Sequence, residues 1–293
     1  MRFWVVAALA TAFAVAPTWA QRAAIPPPQP VTGDSNGNLN SDIPSAEDVL
    51  NGHIRSPADV PLTLMPFDTH WMLAAETCNS WTESSAHSPT VSVARLAVPG
   101  KASGEYQKGC GALKDKKLDE AEKHERAAVK LYPDYAAAWV VLGQILEAED
   151  KRDDGRQACS QARSVDPDYV APYLCLADFA TTEDNWQEVS MLAGSALTLD
   201  PAGNAYSFYY AADAAFHLGN LEKAEKDAQN SITLDKWRHL AQVHLLLAQI
   251  YKAKNDFVAQ AAQLREYLKI APNAADSSQV KSVLAQLQAK ITP

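Results

Sequence analysis

Three prolines in the second half of the chain recur at one fixed interval. Pro133, Pro167 and Pro201 lie 34 residues apart (167 − 133 = 34 and 201 − 167 = 34). The stretches that contain them are LYPDYAAAWVVLG, VDPDYVAPYLCLA and LDPAGNAYSFYYAA. Proline ends helices, because its ring removes an amide donor and clashes with the preceding turn. A fixed period of this length therefore indicates a chain built from repeated units.

Within each period the small and apolar residues follow the spacing of two helices. In the second unit, positions i, i+3, i+4 and i+7 of the first helix are Trp139, Leu142, Gly143 and Leu146. After a polar break, the predicted second helix carries Ala158, Cys159, Ala162 and Val165. The proline that follows restrains its own neighbour and ends this helix. Each period therefore predicts two antiparallel helices and two turns.

Five such units resemble the tetratricopeptide repeat (TPR). The match is most specific where Trp139-x-x-Leu142-Gly143-x-x-Leu146 precedes Ala162 and Pro167. The units are residues 102–135, 136–169, 170–203, 205–238 and 241–274, and the entry segment 91–106 is similar to that of exported bacterial TPR proteins. The resemblance implies an all-α fold, a right-handed superhelical solenoid of about five TPR hairpins that spans residues 101–274.

Two positions depart from the family pattern, and a last helix follows the repeats. Gly155 stands where the family usually has alanine and Arg152 where it has an aromatic residue, so we expect looser packing in the second unit.

Residues 275–293 are predicted as a capping helix, with Asp276 as its N-cap and Gln279 completing a capping box. Its single apolar stripe would seal the end of the repeat stack.

The region before the repeats divides into three segments. Residues 1–20 are typical of a secretory signal peptide, with Arg2, an apolar run and small residues before a predicted cut after Ala20. An uncleaved anchor is the alternative. Residues 21–61 are predicted to be a disordered proline-rich linker, and residues 62–100 a partly ordered arm. The protein is thus expected to be exported, to a periplasmic or extracellular location.

The charge and the four cysteines narrow the possible partners and pairings. A formal net charge of -9 argues against nucleic acid, which is bound through Lys and Arg. No second long apolar run follows the leader, so we expect no stable membrane insertion after cleavage.

Cys159 and Cys175 lie eight residues on either side of Pro167, so they could form a disulfide or remain buried thiols. A bond from Cys78 to Cys110 would tie the arm to the first repeat.

The sequence offers no recognisable catalytic or metal-binding pattern. It contains no GxSxG, HExxH, P-loop or GxGxxG motif, and its seven histidines are scattered. We therefore predict no enzymatic activity, no metal and no cofactor.

The TPR resemblance implies that binding takes place on the concave side, which the first helix of each unit lines. The predicted partner-binding groove comprises Tyr106, Leu174, Asp178, Tyr206, Tyr209, Asp213 and Phe216. Tyrosines give large rigid contact area with a polar tip, as interface anchors do. The alternatives are that these side chains pack between helices, or that the arm around residues 62–81 fills the groove.

These observations favour a non-enzymatic scaffold or adaptor in the cell envelope. It would bind a protein or peptide segment of neutral or basic character in the concave groove. The alternative is an accessory subunit of an envelope enzyme or of a glycan-handling complex.

Overall fold

The structure, a computed structural model, is all-α over the residues that it describes, which are Cys78, 97–201, 204–236 and 240–291. The predicted leader, linker and most of the arm lie outside these residues. The described ranges contain no strand and eleven helices: α1 (Gly100–Lys114), α2 (Leu118–Leu131), α3 (Ala136–Ala148), α4 (Arg152–Val165), α5 (Val170–Thr182), α6 (Trp186–Leu199), α7 (Ala205–His217), α8 (Leu221–Leu234), α9 (Gln242–Ala253), α10 (Phe257–Ile270) and α11 (Ser277–Ile291). The all-α prediction is confirmed.

Consecutive helices pair into five hairpins, α1–α2 to α9–α10, and α11 packs on α10. Each hairpin also contacts the next through its second helix, as α2 contacts α3 and α4 contacts α5. One buried apolar cluster extends from Ala136 in the second hairpin to Ile250 in the fifth. The hairpins are therefore joined by a shared core.

The turn inside every hairpin has the same backbone geometry. One residue in each turn takes a positive φ: Lys116 (60°), Asp150 (61°), Asp184 (54°), Gly219 (81°) and Asn255 (59°). The following amide donates to the carbonyl five residues earlier, at 2.8 to 2.9 Å in all five turns. This is the Schellman arrangement, which satisfies the last carbonyls of the first helix. The backbone conformation thus repeats from hairpin to hairpin, as the side-chain pattern does.

Asparagine and aspartate caps start the second helix in three of the hairpins. The side chains of Asn185, Asn220 and Asp256 accept from the backbone amide three residues later, at 3.3, 3.1 and 2.9 Å. Such caps satisfy donors that have no partner within the helix. Each cap follows directly on the positive-φ residue, so the first helix ends and the second begins within three residues.

The period-setting prolines act through their carbonyl groups as well as their rings. The Trp139 indole N–H donates to the carbonyl of Pro133 at 2.7 Å, and the Tyr173 hydroxyl donates to that of Pro167 at 2.8 Å. The aromatic residue near the start of each of these two first helices is therefore fixed to the turn that precedes it. This bond explains why proline and aromatic residue recur together in the sequence.

The second hairpin packs closely, contrary to the expectation from Gly155. A Cβ atom at that position would lie 2.7 Å from the carbonyl oxygen of Gly143 and 2.8 Å from Cζ of Phe179. Real Cβ contacts are not that short, so the glycine is needed where α3, α4 and α5 meet. The prediction of looser packing at this position is wrong, because the missing methyl group lets the helices approach.

The terminal helix α11 covers the last hairpin with a few apolar side chains. Val280 and Leu287 are buried in a cluster with Leu264 and Tyr267 of α10. The Asp276 carboxylate, which precedes α11, accepts a hydrogen bond from the Tyr267 hydroxyl at 2.5 Å. Asp276 thus anchors the start of α11 to α10, and its role as N-cap stays a prediction.

Candidate functional site

One position recurs on the first helix of every hairpin and is polar in four of the five. Cys110, Gln144, Asp178, Asp213 and Gln249 stand nine residues into their units and belong to α1, α3, α5, α7 and α9. We call the side of the first helices that carries these residues the ladder face. It contains the residues that the sequence assigned to a partner-binding groove.

The structure buries most of the predicted groove residues. Tyr106 and Leu174 are 1% exposed, and Asp178, Tyr206, Tyr209 and Asp213 are also buried; Phe216 is half-buried. Tyr106 packs against the ring of Tyr135, with centroids 5.1 Å apart, and Tyr209 meets Tyr210 edge-on at 5.4 Å. These rings pack within the apolar clusters, which is the alternative that the sequence left open. Their binding role stays a prediction.

A buried acidic network lies where α5 and α7 meet. The Tyr210 hydroxyl donates to Asp178 at 2.9 Å, a contact that the sequence did not indicate. Burial raises the pKa of both Tyr209 and Tyr210, and the nearby carboxylates of Asp178 and, for Tyr209, Asp213 add to it. Burial also raises the pKa of Asp213 to about 7. Both tyrosines therefore stay neutral at any physiological pH, and Tyr210 is the one with a hydroxyl bond to a carboxylate.

At the end of α7, His217 lies flat on an indole ring. Its ring and that of Trp186 are 3.6 Å apart between centroids and 3° from parallel. Its Nε2 is 3.5 Å from a carboxylate oxygen of Asp213. Burial lowers the pKa of His217, although the charge of Asp184 opposes that effect. The residue joins the acidic network to α6, and only the i, i+4 spacing from Asp213 could have suggested it.

The four cysteines form two disulfides in the structure. Cys78 is bonded to Cys110 on α1, and Cys159 on α4 is bonded to Cys175 on α5, with Cα atoms 5.6 and 6.0 Å apart. Both distances fall in the usual disulfide range of about 4.4–6.8 Å. The first bond ties one residue of the predicted arm to the ladder position of α1, and the second bond links the second hairpin to the third.

An accessible groove lies on another side of the repeats, between the second helices of the first two hairpins. Its cavity volume is about 480 Å³. We call it the α2/α4 groove, and it is lined by Arg126 of α2, by Trp139, Leu142 and Leu146 of α3, and by Asp154, Gln157, Ala158 and Gln161 of α4. The sequence identified its apolar residues as core and did not predict a site here.

The described residues hold no metal-binding cluster and no membrane-spanning helix. Within these ranges, no three His, Cys, Asp or Glu side chains are grouped so that they could hold a metal ion. Likewise, no described helix combines the length and apolar character that crossing a bilayer requires.

Comparison with known proteins identifies the fold. No protein-family model and no curated protein matches the chain. Among solved structures, the APC/C hetero-tetramer Cut9-Hcn1 aligns with a TM-score of 0.60 and 17% identity, covering 78% of this chain but only 41% of the other. Pseudomonas aeruginosa pilF aligns at 0.55 and 17% identity over 64% of this chain and 85% of its own. TTC0263, a TPR protein of Thermus thermophilus, aligns at 0.52 and 16% identity over 64% and 99%. At such identities the likeness shows the fold, an all-α superhelical repeat of TPR-like hairpins.

Proposed function

We propose that this chain is an exported, non-enzymatic scaffold that holds a segment of a partner protein on its repeats. The observation that carries the proposal is the shared core that joins successive hairpins, in which residues from four hairpins form one cluster. Such stacking makes an extended surface to which every repeat contributes, and repeat proteins use surfaces of this kind to bind. The similar Cut9-Hcn1 structure is itself a hetero-tetramer.

The ladder face is the surface that we assign to the partner segment. Asp178 and Asp213 lie buried beneath it, and an acidic segment placed over them would add to the cost of their ionisation, which favours a neutral or basic segment. Half-buried Phe216, at the end of α7, supplies an apolar contact at its edge.

Export is supported by the leader-like first 20 residues and by the two disulfides. Disulfides persist in oxidising compartments and are rare where glutathione keeps thiols reduced. An alkaline phosphatase fusion after residue 96 tests this proposal, because that enzyme is active only after export. Inactive fusion protein that accumulates in the cytoplasm would contradict it.

Capture of the partner by the full chain tests the scaffold function. A photo-crosslinking phenylalanine analogue would replace Phe216, and a control variant would carry it at Met191, which is 68% exposed on α6. We expect one envelope protein to be crosslinked at position 216 and not at 191. Equal crosslinking at both positions, or none, would argue against binding at the ladder face. A captured complex with enzymatic activity would favour the accessory-subunit alternative.

A further inference from the structure

The α2/α4 groove has a rigid apolar floor. Trp139 is half-buried, and its bond to the Pro133 carbonyl, at 2.7 Å, fixes the orientation of the indole ring. Leu142 and Leu146, each 1% exposed, lie beside it. A ring that is already held in place loses little rotational freedom when another group packs on it. The floor is therefore ready to receive an apolar side chain.

The groove is open because one residue of α4 is small. Ala158, which is 4% exposed, lines it, and the equivalent position in the next hairpin is the larger Leu192 (192 − 158 = 34), which is 5% exposed. A leucine at position 158 would extend into the space that Ala158 leaves free. The opening is therefore a property of the second hairpin, and it can be closed by a residue that the same fold accepts one repeat later.

Two amide side chains on α4 line the groove. Gln157 and Gln161 are exposed, and neither amide has a hydrogen-bond partner among the described residues. They are one helical turn apart, about 6 Å along the axis. Alternate residues of an extended chain are about 6.6–6.8 Å apart. Because each amide both donates and accepts, the pair matches the backbone groups of an extended peptide.

The two charged residues of the groove differ in how they are paired. Arg126 donates from Nε to Glu122 at 2.6 Å, so its charge is already offset. Asp154 is exposed and has no ion pair within the described ranges. A basic group on a ligand would therefore find its complement at Asp154, at the start of α4.

We propose that the α2/α4 groove is a second docking surface, which takes an extended peptide with a basic residue close to a large apolar one. The apolar side chain packs on Trp139, the backbone bonds Gln157 and Gln161, and the basic side chain meets Asp154. From position 154 to 161 the helix rises about 10 Å, the length of about three extended residues. The volume of about 480 Å³ lies within the usual range for ligand sites.

Selection from a display library of random nine-residue peptides, carried out on the full oxidised chain, tests the proposal. The key variant is Ala158→Leu, which fills the groove and should fold normally, as circular dichroism and thermal melting would verify. A second variant, Gln157→Ala with Gln161→Ala, changes only exposed side chains. Its matched control is Met191→Ala with Ser195→Ala, the same positions one repeat later. Asp154→Asn measures the charge contribution, with its exposed neighbour Asp153→Asn as control.

We expect enriched peptides to combine Lys or Arg with Phe, Trp or Leu two or three residues away. Ala158→Leu and the glutamine pair should each weaken their binding roughly tenfold, while the control pair should not. Asp154→Asn should remove most of the salt dependence. Selected peptides that bind wild type and Ala158→Leu equally, or an absence of any such peptides, would overturn the proposal. So would oligosaccharide binding on a glycan array that Ala158→Leu abolishes. Crosslinking at Phe216 is independent of these outcomes, so this surface can fail while the proposed function stands.

Discussion

A buried carboxyl group in the first hairpin should weaken the fold. Glu125 of α2 is 0% exposed, and neither of its oxygens has a hydrogen-bond partner among the described residues. It lies over Gly109 of α1, where an added Cβ would be 3.0 Å from Cγ of Glu125. Cys159 has the same relation to Gly143 one repeat later (125 − 109 = 16 and 159 − 143 = 16). In both hairpins the glycine thus makes room for the side chain that faces it. That side chain is a polar carboxyl group in the first hairpin but not in the second.

Replacing Glu125 by methionine should stabilise the protein. Methionine has similar length, is unbranched and adapts to irregular space, so it can occupy the same path. A buried polar group without a hydrogen bond costs roughly 1–3 kcal/mol, and that cost is removed. We expect the free energy of unfolding to rise by this amount in acid, where the carboxyl is protonated in both states, and each kcal/mol raises the melting temperature by about 2–4 °C.

The pH dependence of the difference identifies its cause. Burial raises the pKa of Glu125 well above its ordinary value, so the folded chain keeps this proton at a pH where the unfolded chain has released it. Between the two pKa values, the wild type therefore loses stability as pH rises, by up to about 1.4 kcal/mol per pH unit. The methionine variant lacks this loss, so its advantage should be smallest in acid and grow with pH.

Urea unfolding followed by circular dichroism from pH 4 to 8 measures this difference. Glu120→Met, on an exposed position of the same helix, is the control and should change stability by less than about 0.5 kcal/mol. A Glu125→Met variant that is less stable than wild type at neutral pH would refute the reasoning. So would an advantage that does not vary with pH, since it would come from packing rather than from the carboxyl group.

Three further predictions concern the turns, the buried network and the disulfides. Gly219→Ala should lower the free energy of unfolding by about 1–2 kcal/mol in chemical denaturation, because φ is 81° there and no atom lies near enough to add a clash. Asn255→Gly should leave the free energy of unfolding unchanged or raise it slightly. Tyr210→Phe should lower the free energy of unfolding by about 1–3 kcal/mol, because a buried donor to a carboxylate is lost. Tyr209→Phe should lower it clearly less, since no bond of the Tyr209 hydroxyl is found among the described residues. Equal losses would contradict the hydrogen bond from Tyr210 to Asp178. Titration of the unreduced protein in denaturant should find no free thiol, and four would rule out both disulfides.

The helices could be predicted from the sequence because their pattern is local. Prolines at a 34-residue interval and apolar residues at helical spacing each depend on a few neighbouring side chains. The backbone conformation of the turns inside the hairpins is harder to predict, because Lys116, Asp150 and Asp184 take the left-handed conformation without being glycine. The hairpin geometry imposes that φ on whichever residue stands there. Only Gly219 and Asn255 are residue types that favour this conformation by themselves.

The site could not be predicted from helical faces alone. Assigning Tyr206 and Tyr209 to the first helices was correct, but their burial depends on how closely the neighbouring hairpins pack. The α2/α4 groove depends on the same distance, since its walls belong to two different hairpins. The sequence shows that Ala158 is smaller than Leu192, but only the positions of the two hairpins show that Ala158 lines a groove.

The packing between the first two hairpins therefore sets the width of the groove. Across this interface Lys151 bonds Glu122 at 2.8 Å, and Lys254 bonds Glu225 at 2.6 Å in the same register at the interface between the last two hairpins (151 − 122 = 29 and 254 − 225 = 29). Lysine–carboxylate pairs with this much exposure contribute about 0–1 kcal/mol, so they align the hairpins more than they hold them together. Buried side chains such as Leu142 and Ile145 carry most of the stability, at about 1.5–3 kcal/mol for each large apolar residue. A cavity-forming change such as Ile145→Val should therefore alter the affinity of the groove more than loss of the Lys151 ion pair does, although Ile145 is not among the residues that line it.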